Sequence, residues 1–260
     1  MSSLPQAVAR LRALPRPSHL RAGAEFPPRN LADVYNRGDM APLLQRTSRF
    51  AAVLVALVMH PEQGLCVLLT RRTSKLRKHA GEVAFPGGKR DVDDTTDIDT
   101  AFREAEEEVG WPRIKDNRRE MHVDGVEVIC QLERLAQPNF NPPMVVTPIV
   151  ATLDYRLVAS LHASPDEVDA IFLAPLATFL EDGEHHTFQD MDLKKYSGLL
   201  SSIYRAHHFK VSVHEDGRHF DVWGQTADIL MYVASVVYDR RPNFEMKPAS
   251  NKGSDSVSRL

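Results

Sequence analysis

Apolar side chains run unbroken from Phe50 to Met59 and resume, after the polar His60–Gly64 interval, through Leu65-Cys66-Val67-Leu68-Leu69. Short apolar runs bounded by turn residues predict two buried strands, 50–59 and 65–70, joined by a tight connection. From Arg71 to Gly81 the pattern lapses, which predicts a loop. Glu82-Val83-Ala84-Phe85 predicts a short strand, stopped by Pro86-Gly87-Gly88. Residues 99–109 predict a helix, with Gly110 as its C-terminal punctuation and Pro112 beyond it. Strands are predicted near 126–135 and 145–152. A second helix is predicted over 224–238, where Ile229, Val233, Val236 and Val237 recur at helical spacing. Mixed strands with two or three helices predict an α/β or α+β sandwich.

Both ends depart from this pattern. Pro5, Pro15, Pro17, Pro27 and Pro28 punctuate an arginine-rich start, so residues 1–45 read as an N-terminal extension. Residues 46–245 read as one compact domain, since no repeat or heptad series divides them. Residues 246–260 read as a disordered tail, too poor in apolar side chains to offset the cost of ordering.

Composition narrows the function classes. Ten consecutive apolar residues, the longest run, are too few for a membrane-spanning helix. A net charge of −3 argues against a general nucleic-acid coat, and no nucleic-acid partner is expected. Two cysteines, Cys66 and Cys130, cannot form a disulfide framework, which favours a reducing compartment.

The distribution of charge says more than its sum. Between Arg71 and Arg90 stand seven basic residues (Arg71, Arg72, Lys75, Arg77, Lys78, Lys89, Arg90) and one acid, Glu82. Between Asp91 and Glu108 stand nine acids and one base, Arg103. Either block alone reads as a solvated face. Together, meeting just after Gly88, they also suit a polyanion grip beside a metal cradle. On the predicted helix Phe102, Ala105 and Val109 share one side, and Glu104, Glu107 and Glu108 fall within one arc on another. Carboxylates at i, i+3 and i+4 repel one another unless a cation lies between them, and hard oxygen donors suit Mg²⁺ or Mn²⁺. The arc is therefore either a metal site or a solvated acidic face, and Arg103 either orients these carboxylates or balances their charge.

Arg103-Glu104-Ala105-Glu106-Glu107-Glu108-Val109-Gly110-Trp111 resembles the helix half of the Nudix box, R-E-U-x-E-E-x-G-U, where U is a bulky apolar residue. The first half of the box departs from its pattern: strict counting puts Lys89 at the glycine and Thr95 at the first glutamate. One inserted residue brings Gly88 to the glycine position and lets Asp94, or else Asp93, stand in for the missing carboxylate. Upstream, Leu68-Leu69-Thr70-Arg71-Arg72-Thr73, then Arg77, Gly81 and Phe85-Pro86-Gly87-Gly88, resembles the signature of the coenzyme A diphosphatase branch, with Thr73 where Ser or Ala is usual. The segments 167–176 and 223–227 are similar to further parts of that branch, so the resemblance spans roughly residues 50–238.

The resemblance implies a Nudix α/β/α sandwich with a mixed sheet and a loop–helix–loop Nudix box. It implies metal-dependent hydrolysis of the pyrophosphate of coenzyme A, or of an acyl-CoA, to 3′,5′-ADP and (acyl-)4′-phosphopantetheine. It places metal (Mg²⁺ or Mn²⁺) on Glu104, Glu108 and Glu107, with Gly88 adding its carbonyl, and makes Glu107 the favoured general base. Arg71, Arg72, Arg77 and Lys78 are the candidates to meet the anionic substrate, Arg72 and Arg77 matching signature positions. For Arg72 the alternative is an ion pair with an acid of the box. Two rival functions stand beside this one: a Nudix diphosphatase for ADP-ribose, a dinucleotide or capped RNA, and a non-catalytic nucleotide- or RNA-binding module.

The histidine pairs 185–186 and 207–208 match no zinc spacing and read as surface or sheet residues. Cys66 reads as core, and Trp223 as a packed aromatic ahead of a helix. Ser258-Arg259-Leu260 is a conservative variant of the Ser-Lys-Leu peroxisomal signal, which predicts an import receptor as partner and a peroxisomal or glycosome-like address. The acid-poor, arginine-rich start has mitochondrial-presequence character, weakened by its prolines, so mitochondrial and cytosolic addresses stand as alternatives.

Overall fold

The computed structural model of the chain describes residues 3–14, 49–76, 79–112, 124–137, 144–192, 203–213 and 217–246. Its organising strand is β1 (Arg49–His60), which is apolar on both faces and lies between two others. It pairs in parallel with β7 (Met144–Leu153) over the whole stretch from Arg49↔Met144 to Val58↔Leu153. Parallel pairing of this kind is usual where both faces are covered. On its other side β1 meets β2 (Gly64–Arg72) at one end and β4 (Gly87–Lys89) at the other, both antiparallel. β3 (Val83–Ala84) and β8 (Val168–Pro175) extend the sheet from β2, and β5 (Val126–Gln131) and β6 (Leu135–Gln137) extend it from β7.

The period of two along β1 divides the core. Ala52, Leu54, Ala56 and Val58 face one layer, where Ala101, Phe102, Ala105 and Val109 of α2 (Asp97–Val109) and Trp111 pack. Val55 and Leu57 face the other layer, formed largely by α4 (Gly224–Tyr238). α4 is buried almost all round. It lies against the main sheet, a second sheet β9–β10–β11 (His186–Asp192, Ile203–Ser212, His219–Trp223) and the N-terminal helix α1 (Leu4–Arg12). A short helix α3 (Tyr155–Val158) follows β7. A mixed sheet with helices on both faces is the α/β/α sandwich expected from the sequence.

Several boundaries move. α2 starts two residues before the predicted helix because Thr96 caps it: the Thr96 hydroxyl accepts the Asp99 N–H and the Asp99 carboxylate accepts the Thr96 N–H. The strand predicted over 126–135 breaks after Gln131. Three strands of the second sheet were not predicted, because polar and histidine side chains interrupt their apolar alternation. Nor was α1, despite its proline. Pro5 sits in the first turn, where a missing N–H costs nothing, while Ala7 and Leu11 are fully buried against the core. Arg10 donates to the Val237 carbonyl at the end of α4, and Arg12 pairs with Glu127.

Candidate active site

The site begins where β4 turns away from β1. Gly87 (φ 146°) pairs with Val53 in the sheet, and a β-carbon there would stand 2.4 Å from the Ala52 carbonyl oxygen. Only glycine fits that backbone. Gly88 is confined differently: its β-carbon would fall 2.3 Å from Oε2 of Glu104. The tight approach of β4 to β1 thus lays the glycine backbone directly on the carboxylates of α2.

Glu108 is the most enclosed of these, at 2% exposure. Its Oε2 accepts the Gly87 N–H at 3.0 Å, and its Oε1 lies 3.5 Å from Nη1 of Arg72. Burial pushes the Glu108 carboxyl up to about 7, against the Gly87 hydrogen bond and the Arg72 charge. Burial raises Glu104 as well, with Arg103 opposing and Glu107 and Glu167 adding like charge. Two neighbouring carboxylates whose charged forms are both disfavoured make a place where a cation would be welcome.

Arg103 ties the loop to the helix. It holds both oxygens of Asp94 at 3.0 Å, donates to the Lys89 carbonyl at 2.9 Å, and reaches Glu104 at 3.1 Å and Glu107 at 3.2 Å. This bidentate grip holds the Asp94 carboxyl down at about 2. Asp94, the candidate stand-in for the carboxylate missing from the strict pattern, is thus a partner of Arg103. The guanidinium acts on the site by positioning Glu104 and Glu107.

A fourth acid, Glu167, enters from a loop that sequence reasoning did not promote. The free carbonyls at the C-terminus of α2 are satisfied by that loop: Ser164 N–H donates to Glu108 and His162 N–H to Val109. The same loop carries Glu167, whose carbonyl accepts the Thr73 N–H, so its carboxylate raises both Glu104 and Glu108 by like charge. The only sequence signal was its place at the head of the segment 167–176.

The basic candidates separate. Arg72 turns toward Glu108, which is the ion-pair alternative. Arg71, its neighbour on β2, pairs instead with Asp169 at 3.5 Å and lies over the Phe220 ring at 5.8 Å. Arg77 and Lys78 lie outside the described residues, as does Ser258–Leu260. Glu107 is exposed, with 58% of its side chain open to solvent. Cys66 and Cys130 are pushed up to about 11 by burial, which makes them poor nucleophiles. Trp223 stacks on His208 at 5.4 Å.

Among the described residues no three Asp, Glu, His or Cys side chains converge as a ready-made metal cage. The donor set nonetheless fits a hard divalent cation. Such ions are commonly held by one or two carboxylates together with waters and substrate phosphates. Glu104 against Gly88 and Glu108 against Gly87, both desolvated, are the carboxylates that would do so.

Residues 48–186 match the family model for the NUDIX domain. Nudix hydrolase 15, mitochondrial, of Arabidopsis thaliana is 35% identical over 210 residues, covering 79% of this chain and 66% of its own length. The uncharacterized Nudix hydrolase NudL of Escherichia fergusonii is 40% identical over 195 residues, covering 72% and 81%. Nudix hydrolase 22, chloroplastic, of Arabidopsis thaliana is 34% identical over 230 residues, covering 88% and 68%.

Proposed function

The chain belongs to the NUDIX hydrolase family, and on that premise we propose that it hydrolyses the pyrophosphate of coenzyme A or an acyl-CoA with Mg²⁺ or Mn²⁺. Water adds to one phosphorus, the bridging P–O bond breaks, and 3′,5′-ADP leaves with (acyl-)4′-phosphopantetheine. The observation that carries the reading is the seat of Glu104 and Glu108 on Gly87-Gly88, at the end of the segment 68–88 that resembles the coenzyme A diphosphatase signature.

Glu104 and Glu108 would hold the metal, with the Gly88 carbonyl as a proposed further ligand and Glu107 proposed to join them when the ion binds. When bound, the metal neutralises phosphoryl charge and makes water acidic enough to attack. Arg103 fixes the angle of Glu104 and Glu107 through its bond to Asp94. Arg72 balances Glu108 and is proposed to meet a substrate phosphate beside it. An exposed carboxylate, Glu107 or Glu167, takes the proton from the attacking water. Arg71, Arg77 and Lys78 are proposed to meet the remaining phosphates. For the compartment, Ser258-Arg259-Leu260 supports peroxisomal import. The relatives named mitochondrial and chloroplastic keep other organelles in view.

The purified protein with Mg²⁺ or Mn²⁺, offered a panel of coenzyme A, acyl-CoAs, ADP-ribose, dinucleotides and capped RNA, is expected to release 3′,5′-ADP, read by mass spectrometry. Brisk turnover of ADP-ribose with none of any coenzyme A species would overturn the substrate. Deleting Ser258–Leu260 is expected to leave the protein in the cytosol, and unchanged organelle import would overturn the address.

A further inference from the structure

After α4 the chain doubles back over the second sheet as a strap, residues 240–246. Its first half is pinned by contacts independent of histidine: the Asn243 N–H donates to the Leu180 carbonyl at 3.0 Å, Asn243 Oδ1 accepts the Asp182 N–H at 2.5 Å, and Arg240 pairs with Glu181. Its second half rests on two buried histidines of β9 and β10. The Phe244 ring packs on His186 at 4.0 Å and on His207 at 5.0 Å, and the Glu245 carboxylate takes a bond from Arg205 at 3.0 Å. The Met246 carbonyl lies 3.2 Å from Nε2 of His207.

The two rings form a chain. Nδ1 of His207 lies 2.9 Å from Nε2 of His186, and Nδ1 of His186 lies 3.0 Å from Oδ1 of Asp182. Counting donors fixes how many protons this chain holds. A carbonyl only accepts, so Nε2 of His207 carries a proton. Asp182 is held below the usual carboxylate range by its bond to His186, so it too only accepts, and Nδ1 of His186 carries a proton. The bond between the rings needs a third. Two imidazoles with three protons bear one positive charge.

His207 is buried beside the Arg205 guanidinium, both of which oppose a charge there. The anions around it, Asp190 and Glu245, are engaged by Arg205, whereas Asp182 faces His186 directly and His185 adds only a neighbouring ring.

We propose that the His186–His207 pair is a proton-dependent clasp for the strap. With three protons it holds Phe244–Met246 on the second sheet. Removal of one leaves two donors for three contacts; the bond to the Asp182 carboxylate is charge-assisted and is kept, the remaining proton closes the bond between the rings, and the neutral Met246 carbonyl loses its donor, so the Met246 end opens while the Asn243 anchor stays.

The full-length protein, labelled with ¹⁵N-histidine and ¹³C-methyl methionine, tests this by NMR between pH 5.5 and 8.5. Three nitrogen-bound protons are expected on the two rings at low pH. As the third is lost, the Met246 methyl signal, assigned through Met246→Leu, is expected to shift and sharpen while the Asn243 amide keeps its protection. His186→Phe, which keeps the stacking and removes the protons, is expected to make the Met246 signal independent of pH. Should that variant not fold, the solvent-facing Asp182→Asn serves: it is expected to move the transition to lower pH by at least about half a unit. Two protons on the rings at every pH, a Met246 signal that ignores loss of the third proton, or an Asp182→Asn transition at unchanged pH would each overturn the clasp.

Discussion

Gly88 lies so close to Glu104 that any β-carbon on it would stand 2.3 Å from the carboxylate oxygen, whereas the β-carbon of Gly87 would strike the β1 backbone. The two glycines therefore predict opposite phenotypes. Gly88→Ala displaces the end of a flexible side chain and is expected to cost less than about 1 kcal/mol of stability, while weakening metal binding at least about tenfold. Gly87→Ala meets fixed backbone at φ 146° and is expected to cost about 3 kcal/mol or more. Thermal melts and metal titrations of the two variants separate the effects.

Glu108 links metal to pH. Its folded value, about 7, stands above its ordinary one, so its charge opposes folding. Without metal, stability contributed by this group falls as pH rises from the unfolded value toward about 7, by up to about 3 kcal/mol. Glu108→Gln is expected to abolish that slope and most of the activity while still accepting the Gly87 N–H. Metal bound by the wild type displaces the Glu108 proton below about pH 7, so apparent affinity is expected to weaken there by up to about tenfold per unit. Calorimetry in buffers of different ionisation enthalpy counts the proton released.

Asp94 works with the opposite sign. Arg103 holds it down at about 2, so the pair contributes stability above the ordinary carboxylate range that is lost as pH falls through about 2. Asp94→Asn is expected to cost about 1–2 kcal/mol near neutral pH and to lower kcat by loosening Glu104 and Glu107. Chemical denaturation and steady-state kinetics measure the two parts.

Glu107 and Glu167 compete for the role of base. The variant lacking the base is expected to lose about 10²–10⁴-fold in kcat together with the acidic limb of the pH–rate profile, with metal affinity little changed. The other variant is expected to keep that limb. Profiles of Glu107→Gln and Glu167→Gln decide between them, and two intact limbs would exclude both.

The N-terminal helix is expected to be part of the fold. Leu11 is fully buried, so Leu11→Ala should cost about 2–5 kcal/mol, read as a lower denaturation midpoint.

The long periodic elements, β1, β2, α2 and α4, were legible in the sequence because each carries its own pattern of burial. The acids of α2 were legible because helical spacing alone groups them. What escaped depends on contacts between distant segments. Glu167 reaches the site only because its loop satisfies the end of α2, and nothing local to residues 160–167 announces that. The resemblance ranked Arg72 above Arg71 and offered its ion pair with the box, but not the partners of Arg71: successive strand residues turn to opposite sides, so Arg71 meets Phe220 and Arg72 meets Glu108. The second sheet was hidden because part of its cover is the strap, which lets histidine and arginine occupy positions a strand pattern reserves for apolar side chains.

The attachment of β4 to β1 has a mechanical consequence. Leu54 donates to the Pro86 carbonyl and Gly87–Lys89 ladder onto Ala51–Val53, so the glycine side of the site is bolted to a strand paired on both sides. That strand is expected to move little when a ligand binds. The turns at 73–76 and 160–167 carry no strand ladder, and among the described residues they meet through the Thr73 N–H and the Glu167 carbonyl. On the proposed function, differences in substrate bulk are therefore expected to be taken up by these turns and not by the glycine strand.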